Sequence, residues 1–329
     1  MGGVIMTAKI IGTGSYLPDY KITNDKLATI VDTSDEWISE RTGIKERRIS
    51  REGNSFMAVK AAKNACENAG IGADEIDIII VATTSSDNLF PSTACEVQEA
   101  IGAKRAIAFD ISAACSGFIF ALSTVDAFFK AGIYKTGLII GADALSRYVD
   151  WSDRSTCVLF GDAAGAAVVK SSDTGVLASD IGSDGTGREF LACKVRSMVD
   201  PFNENESETK NMSGGHLKME GQAVFKFAVK KVPESIKNVL TNAKLESDDI
   251  KYYVLHQANE RIISSVAKRL DLPIEKFPMN LSRYGNTSAA TIPVLLDEIN
   301  KRGDLKEGDK ILMSGFGAGL TWGSIILAW

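Results

Sequence analysis

Charge of one sign is in short supply in this chain: 37 Lys and Arg stand against 42 Asp and Glu, a formal net charge of −5. That balance argues against a general nucleic-acid binder, which needs a basic face, and an acidic partner would need a local basic patch. Long apolar runs are also missing. The best, Ile76 to Ala82 and Gly137 to Ala142, have the length of a strand and not of a membrane span, so a soluble protein with no membrane partner is expected. Met1 to Thr7 has neither a basic start nor a long apolar stretch, which predicts a cytoplasmic protein, with Met6 as an alternative start. Five cysteines (Cys66, Cys95, Cys115, Cys157, Cys193) form no CxxC pair, and histidine is limited to His216 and His256. Neither a disulfide framework nor a metal site is predicted.

What is present is an ordinary globular composition, 45% hydrophobic and 24% charged, in 329 residues, enough for about two domains. The chain also repeats itself. Ala69-Gly-Ile-Gly-Ala-Asp-Glu-Ile-Asp before the apolar Ile78-Ile-Ile-Val is matched about 174 residues later by Ala243-Lys-Leu-Glu-Ser-Asp-Asp-Ile-Lys before Tyr252-Tyr-Val-Leu. Each copy follows a helical stretch, Met57 to Ala69 and Val224 to Ala243, and the parallel continues. Helix and short strand at Gln98 to Ile101 and Ile107 to Ile111 match Ile262 to Leu270 and Phe277 to Leu281. Helices opening at Cys115 and Asn286 follow, and then paired strands: Thr136 to Gly141 with Gly165 to Val169, and Asp309 to Gly315 with Gly323 to Leu327. Two α/β halves, 1–174 and 175–329, each a buried sheet flanked by helices, are the simplest account. Asn203 to Lys210 is the one polar excursion expected at the surface.

Residues able to do chemistry fall at matching places in the two halves. Cys115 lies after a strand and at the start of an apolar helix, where free N–H groups and the helix dipole should make its thiol easier to ionise, as a nucleophile needs. A small buried hydrophobe is the plainer reading of any cysteine, and Cys66 and Cys157 are left with it. His256 ends the strand Tyr252 to Leu255 and opens the polar Gln257-Ala-Asn259; a structural histidine is the competing reading. Asn286, in Tyr284-Gly-Asn-Thr-Ser-Ala-Ala, sits at the expected N-cap of the Thr287 to Ile299 helix, and capping alone would explain it. Taken together, the repeat sets the start of the Asn286 helix opposite the start of the Cys115 helix, so the three side chains could converge between the halves. Ser314 to Gly323 is glycine-rich but lacks the Lys-Ser/Thr ending of a phosphate loop. A turn presenting backbone N–H groups as an oxyanion hole suits it better. Gly161-Asp-Ala-Ala-Gly165 is no dinucleotide fingerprint, since it precedes a strand.

Ala114-Cys-Ser-Gly-Phe, His256-Gln-Ala-Asn, Tyr284-Gly-Asn-Thr-Ser-Ala-Ala and Phe316-Gly-Ala-Gly-Leu-Thr-Trp-Gly, in that order, resemble the β-ketoacyl-[acyl carrier protein] synthase III family of the thiolase superfamily. Thr33-Ser-Asp-Glu-Trp-Ile, Arg41-Thr-Gly-Ile, Phe90-Pro-Ser and Leu159-Phe-Gly-Asp-Ala-Ala-Gly-Ala strengthen the likeness, which spans essentially the whole chain. The resemblance implies an α/β thiolase-like duplicated fold, two five-stranded mixed sheets in an α-β-α-β-α layered arrangement. It implies a decarboxylative Claisen condensation that initiates fatty acid synthesis. Cys115 takes the acyl group of an acyl-CoA; His256 and Asn286 stabilise the enolate of malonyl-acyl carrier protein as CO2 leaves. Backbone N–H groups of Cys115 and Ala318 hold the second oxyanion, with Ala318 where the family often has glycine.

For the CoA substrate, with no prosthetic group, the resemblance points to Trp37 and Arg154 on the adenine, Thr33 and Arg41 nearby, and Gly221 and Asn259 along the pantetheine arm. It places Phe90, Leu145, Phe160 and Phe316 at the acyl pocket, with Phe90 inserted into a partner's pocket in a homodimer. Lys226, Arg261, Lys268 and Arg269 would receive the carrier protein. Other readings stay open: a starter or tailoring synthase of secondary metabolism, a 3-hydroxy-3-methylglutaryl-type synthase, or a non-catalytic acyl-binding subunit. A biosynthetic thiolase would need a second cysteine in the Ser314 to Gly323 loop, and an elongating ketosynthase a histidine at Asn286. Neither is there.

Overall fold

In a computed structural model of the chain, residues 5–195 and 215–329 are described. The Asn203 to Lys210 excursion lies outside them. In chain order the principal elements begin with β1 (Thr7–Tyr16), α1 (Asp35–Thr42), α2 (Asn54–Ala69), β2 (Ile78–Ala82), α3 (Thr93–Ile101) and β3 (Ile107–Ile111). They continue with α4 (Gly117–Lys130), β4 (Thr136–Asp143), β5 (Ala163–Ser172), β6 (Val176–Ser183) and α5 (Gly221–Ala243). The last are β7 (Ile250–Leu255), α6 (Glu260–Leu270), α7 (Thr291–Lys301), β8 (Lys310–Gly317) and β9 (Thr321–Ala328).

The first sheet runs β1-β5-β4-β2-β3, with β1, β5 and β4 antiparallel in turn and β4, β2 and β3 parallel. The second runs β6-β9-β8-β7 in the same order and senses. Continuous apolar strands such as Ile78-Ile-Ile-Val-Ala are what a parallel sheet covered on both faces requires, and every residue of β2 and β4 is buried. The second sheet has four strands among the described residues, one fewer than expected. Phe277 to Leu281, the counterpart of β3, forms no ladder: Pro278 has no N–H to give, and the N–H of Asn280 donates instead to Gln257 Oε1 at 3.1 Å.

Helices α4 and α7 form the central layer. Phe118, Ile119, Leu122, Val125 and Phe129 of α4 recur at helical spacing and pack with Ile292, Leu295, Leu296 and Ile299 of α7 in one cluster. That cluster includes Ile78, Ile139 and Val169 of one sheet and Val254, Ile311 and Ile325 of the other. Burying each of the larger side chains contributes about 1.5–3 kcal/mol, so the two sheets are welded through this layer. Helices α2 and α3 cover the outer face of the first sheet, and α5 and α6 that of the second. The layers therefore alternate α-β-α-β-α, and both central helices start at the level where the parallel strands end. Among the described residues no helix is long and apolar enough to cross a membrane.

Candidate active site

Cys115 is placed by backbone, not by side-chain capping. Ala114 takes the left-handed φ of 46°, and a 3₁₀ turn over Ala114–Ser116 leads into α4. An alanine in that region costs roughly 1–2 kcal/mol, which the surrounding packing offsets. The same device recurs about 174 residues later: Ser288, φ 52°, opens the 3₁₀ turn Ser288–Ala290 ahead of α7. The two turns meet, and the Cys115 thiol donates a long hydrogen bond to Ser288 Oγ at 3.4 Å.

Asn286 lies two residues before that turn. Its backbone is clamped on both sides, the N–H donating to Leu159 O at 2.8 Å and the carbonyl accepting from Gly161 N at 3.0 Å. It is not the N-cap of α7 that its position predicts, because the 3₁₀ turn intervenes. Its Oδ1 accepts from Ser288 N at 2.9 Å, which fixes the amide orientation and leaves the Nδ2 hydrogens for the site. His256 follows β7, its N–H donating to Ser314 O at 2.8 Å on β8. The ring packs edge-on to Phe316 at 5.3 Å, and Nδ1 lies 2.7 Å from Thr291 Oγ1.

Cys115, His256 and Asn286 all line one cavity of about 130 Å³, together with Gly221, Asn259 and Phe316. A second cavity of about 370 Å³ is lined by Cys115, Leu145, Tyr148, Phe160, Leu191, Leu217 and Ala318 among others. Cys115, Phe160 and Leu191 line both, and so stand between the smaller cleft that holds His256 and Asn286 and the larger apolar chamber. Leu145 lines the larger chamber and Phe160 lines both cavities. Phe316 instead lines the smaller cleft, edge-on to His256. Phe90 lines neither and is 86% exposed. Tyr148, Leu191 and Leu217 were invisible to sequence reasoning, since no local pattern marks a chamber assembled from distant loops.

Electrostatically the site is set to neutral. Burial pushes the Cys115 thiol up to about 12, with the hydrogen bond to Ser288 working against it and Asp143 adding to it. Burial thus opposes the ease of ionisation expected from the helix terminus. Burial likewise lowers His256 to about 3, so its imidazole is uncharged. Asp143, at the end of β4, is fully buried and saturated: Oδ1 accepts from Thr84 N at 2.8 Å and Ser85 Oγ at 2.8 Å, and Oδ2 from Ala289 N at 3.2 Å. It ties the second turn to the first sheet.

The glycine-rich loop reaches the thiol's backbone. A Cβ on Gly317 would stand 2.6 Å from Cys115 N, and Ala318 next to it lines the apolar chamber. Trp37, on α1, carries Arg41 at 4.5 Å and Arg154 at 5.1 Å from its ring centroid. Thr33 Oγ1 is buried without a partner among the described residues. Gly221 and Asn259 line the cleft, where Asn259 caps α6 through Arg261 N at 2.8 Å and donates to Arg41 O at 3.0 Å. Arg261 donates twice to Glu40 O, at 3.0 and 2.7 Å, while Lys226, Lys268 and Arg269 are exposed. Among the described residues no group of three or more His, Cys, Asp or Glu could hold a metal.

Comparison with known proteins gives this arrangement a family. The model of 3-oxoacyl-[acyl-carrier-protein] synthase III matches residues 109–185, and that of its C-terminal part residues 240–329. The chain is 54% identical to β-ketoacyl-[acyl-carrier-protein] synthase III of Clostridium acetobutylicum over 98% of this chain and 99% of that one. The enzyme of the same name from Clostridium botulinum Hall is 52% identical, over 97% and 98%. Among solved structures, 3-oxoacyl-[acyl-carrier-protein] synthase III from Aquifex aeolicus VF5 superposes with TM-score 0.90 at 47% identity, covering 98% of this chain and 100% of that one. The priming β-ketosynthase of the R1128 polyketide pathway superposes at 0.92 with 35% identity, covering 100% and 98%. Near-complete coverage at these identities means that the chain belongs to the β-ketoacyl-[acyl-carrier-protein] synthase III family.

Proposed function

We propose that this chain initiates type II fatty acid synthesis by condensing an acyl-CoA primer with malonyl-acyl carrier protein. The products are a β-ketoacyl-acyl carrier protein, CoA and CO2. The observation that carries the assignment of roles is the place of Cys115 in the wall between the two cavities. A thioester on its sulfur would lay the acyl chain in the larger chamber and keep its carbonyl open to the cleft that holds His256 and Asn286. In the first stage the Cys115 sulfur bonds to the acyl carbon, the CoA sulfur leaves, and the thiol proton goes to CoA. In the second, the malonyl C–C bond breaks, CO2 leaves, and the enolate attacks the acyl carbon; Cys115 departs and regains a proton.

Covalent catalysis of this kind replaces one hard step with two easier ones. His256 and Asn286, uncharged and desolvated, hydrogen-bond the malonyl thioester oxygen as it gains charge, and the backbone N–H groups of Cys115 and Ala318 serve the acyl oxygen. CoA is a substrate here, with Trp37 and Arg154 as the adenine clamp, Thr33 and Arg41 beside it, and Gly221 and Asn259 along the arm. Leu145 and Phe160 bound the primer, and Lys226, Arg261, Lys268 and Arg269 meet the acidic carrier protein. The halves 1–174 and 175–329 supply the nucleophile and the enolate partners respectively. Phe90, exposed on one protomer, would be buried in a homodimer, and a cytoplasmic location suits these substrates.

Intact-mass analysis after incubation with a panel of acyl-CoAs and then malonyl-acyl carrier protein tests this reading. An adduct on Cys115 that discharges into a β-ketoacyl product is expected. An adduct that moves to another acceptor would instead make the chain a tailoring acyltransferase.

A further inference from the structure

His256 has to serve two stages that place opposite demands on one nitrogen. During acylation a lone pair facing the thiol helps remove its proton; during decarboxylation an N–H facing the malonyl oxygen stabilises the enolate. Which form the resting enzyme holds is decided by the partner of the other nitrogen. That partner is Thr291 Oγ1, 2.7 Å from His256 Nδ1 and buried on the first turn of α7. Thr291 Oγ1 also lies 3.0 Å from Ser288 O. A carbonyl only accepts, and a threonine hydroxyl has one hydrogen. Without that hydrogen between them, two oxygens 3.0 Å apart repel, so the hydroxyl donates to Ser288 O and accepts from His256 Nδ1–H.

We propose that Thr291 is a positioning residue that holds resting His256 in the Nδ1–H tautomer, so that Nε2 meets the Cys115 thiol as a proton acceptor. This deepens the functional reading above and rests on it for its catalytic half. In acylation the S–H proton passes to Nε2 as the sulfur–carbon bond forms, and from Nε2 to the CoA sulfur as that bond breaks; the ring ends as it began. Thiol and ring line the same cavity, and the long bond to Ser288 Oγ leaves the S–H able to turn within it. The donor form needed for decarboxylation carries the same number of protons; reaching it, once CoA has left, takes no net proton uptake but requires the Thr291 hydroxyl to turn from Ser288 O to donate to Nδ1. Ser288 thereby takes part twice, its hydroxyl receiving the thiol and its carbonyl orienting Thr291.

The chain has two histidines, His216 and His256, so His216→Gln leaves a single ring to observe. Nitrogen NMR of ¹⁵N-histidine-labelled His216→Gln enzyme should show an unprotonated Nε2 and a protonated Nδ1. In Thr291→Val the Nδ1–H would lose its acceptor, so the ring should switch to Nε2–H. Acylation by acyl-CoA should then slow by about 10²-fold, while discharge of pre-acylated enzyme by malonyl-acyl carrier protein stays close to wild type. Thr291→Ser should restore both spectrum and rate. A resting ring with Nε2–H, or equal slowing of both stages in Thr291→Val, would overturn the inference; the first needs no variant at Thr291. If wild-type Cys115 takes no acyl group from any acyl-CoA, the functional reading fails instead, and the spectrum still decides the hydrogen bond.

Discussion

The two halves of this molecule build the same turn and use it for different ends. In the first, a left-handed Ala114 lifts Cys115 to the head of α4; in the second, a left-handed Ser288 lifts Ala289 to the head of α7. At the position matching Cys115 the second half carries an alanine, Ala289, with the polar Asn286 before the turn and Thr291 after it. The strands beneath differ too. A Cβ on Gly141 of β4 would collide with the carbonyl oxygen of Ala289, whereas one on Gly315 of β8 would stand 3.4 Å from Cys115 O. The second turn is thus pressed against its strand at Gly141 and held by Asp143, while the first is pressed against its own only at Gly317, where a Cβ would stand 2.6 Å from Cys115 N, with more room at Gly315. One half serves as a fixed frame against which the other presents a sulfur.

The comparison can be broken first at its reactive end. Cys115→Ala should abolish acyl-CoA adducts; a full adduct at another residue, seen by peptide mass mapping, would transfer the nucleophile's role elsewhere. Asn286→Ala should leave acylation intact but slow enolate formation by about 10²–10³, the worth of one oxyanion donor; single-turnover assays of each stage measure this, and equal losses would contradict the division of roles. On the frame side, Gly141→Ala should cost about 3 kcal/mol of stability by overpacking against Ala289 O, and Gly315→Ala about 1 kcal/mol or less, both read by chemical denaturation.

Acid sharpens it further. Burial holds the folded His256 pKa at about 3, below the ordinary 6.5, so the unfolded chain binds the extra proton between those values. This contribution to stability is full above 6.5 and is lost as pH falls toward 3; His256→Phe should be less acid-sensitive over that window. The smallest effect belongs to Ala318→Gly, about twofold or less in turnover, because only its main-chain N–H is used.

Much of this layout could be read in the residues themselves. The apolar runs of β2 and β4 and the recurrence of Ala69 to Asp77 in Ala243 to Lys251 give the buried strands and the repeated order of elements along the chain. What could not be read has physical causes. Pro278 removed an N–H from the expected fifth strand, and Gln257 took over another. Alanine and serine carry no signal for a left-handed backbone, so the turns at Ala114 and Ser288 were hidden, and with them the step that separates Asn286 from its helix. The helix-terminus argument for an acidic thiol left out burial, which is set by residues far apart in the chain. Thr291 gives no local sign of its partner, because His256 is 35 residues away.

The central claim, that one half carries the acyl group and the other discharges it, is tested most directly by stopped reactions on the Asn286→Ala variant. Mixed with acyl-CoA, the protein should gain one acyl mass on Cys115 at the wild-type rate, and then retain it when malonyl-acyl carrier protein is added while the wild type releases β-ketoacyl product. Failure of the variant to acylate, or discharge at the wild-type rate, would contradict the account.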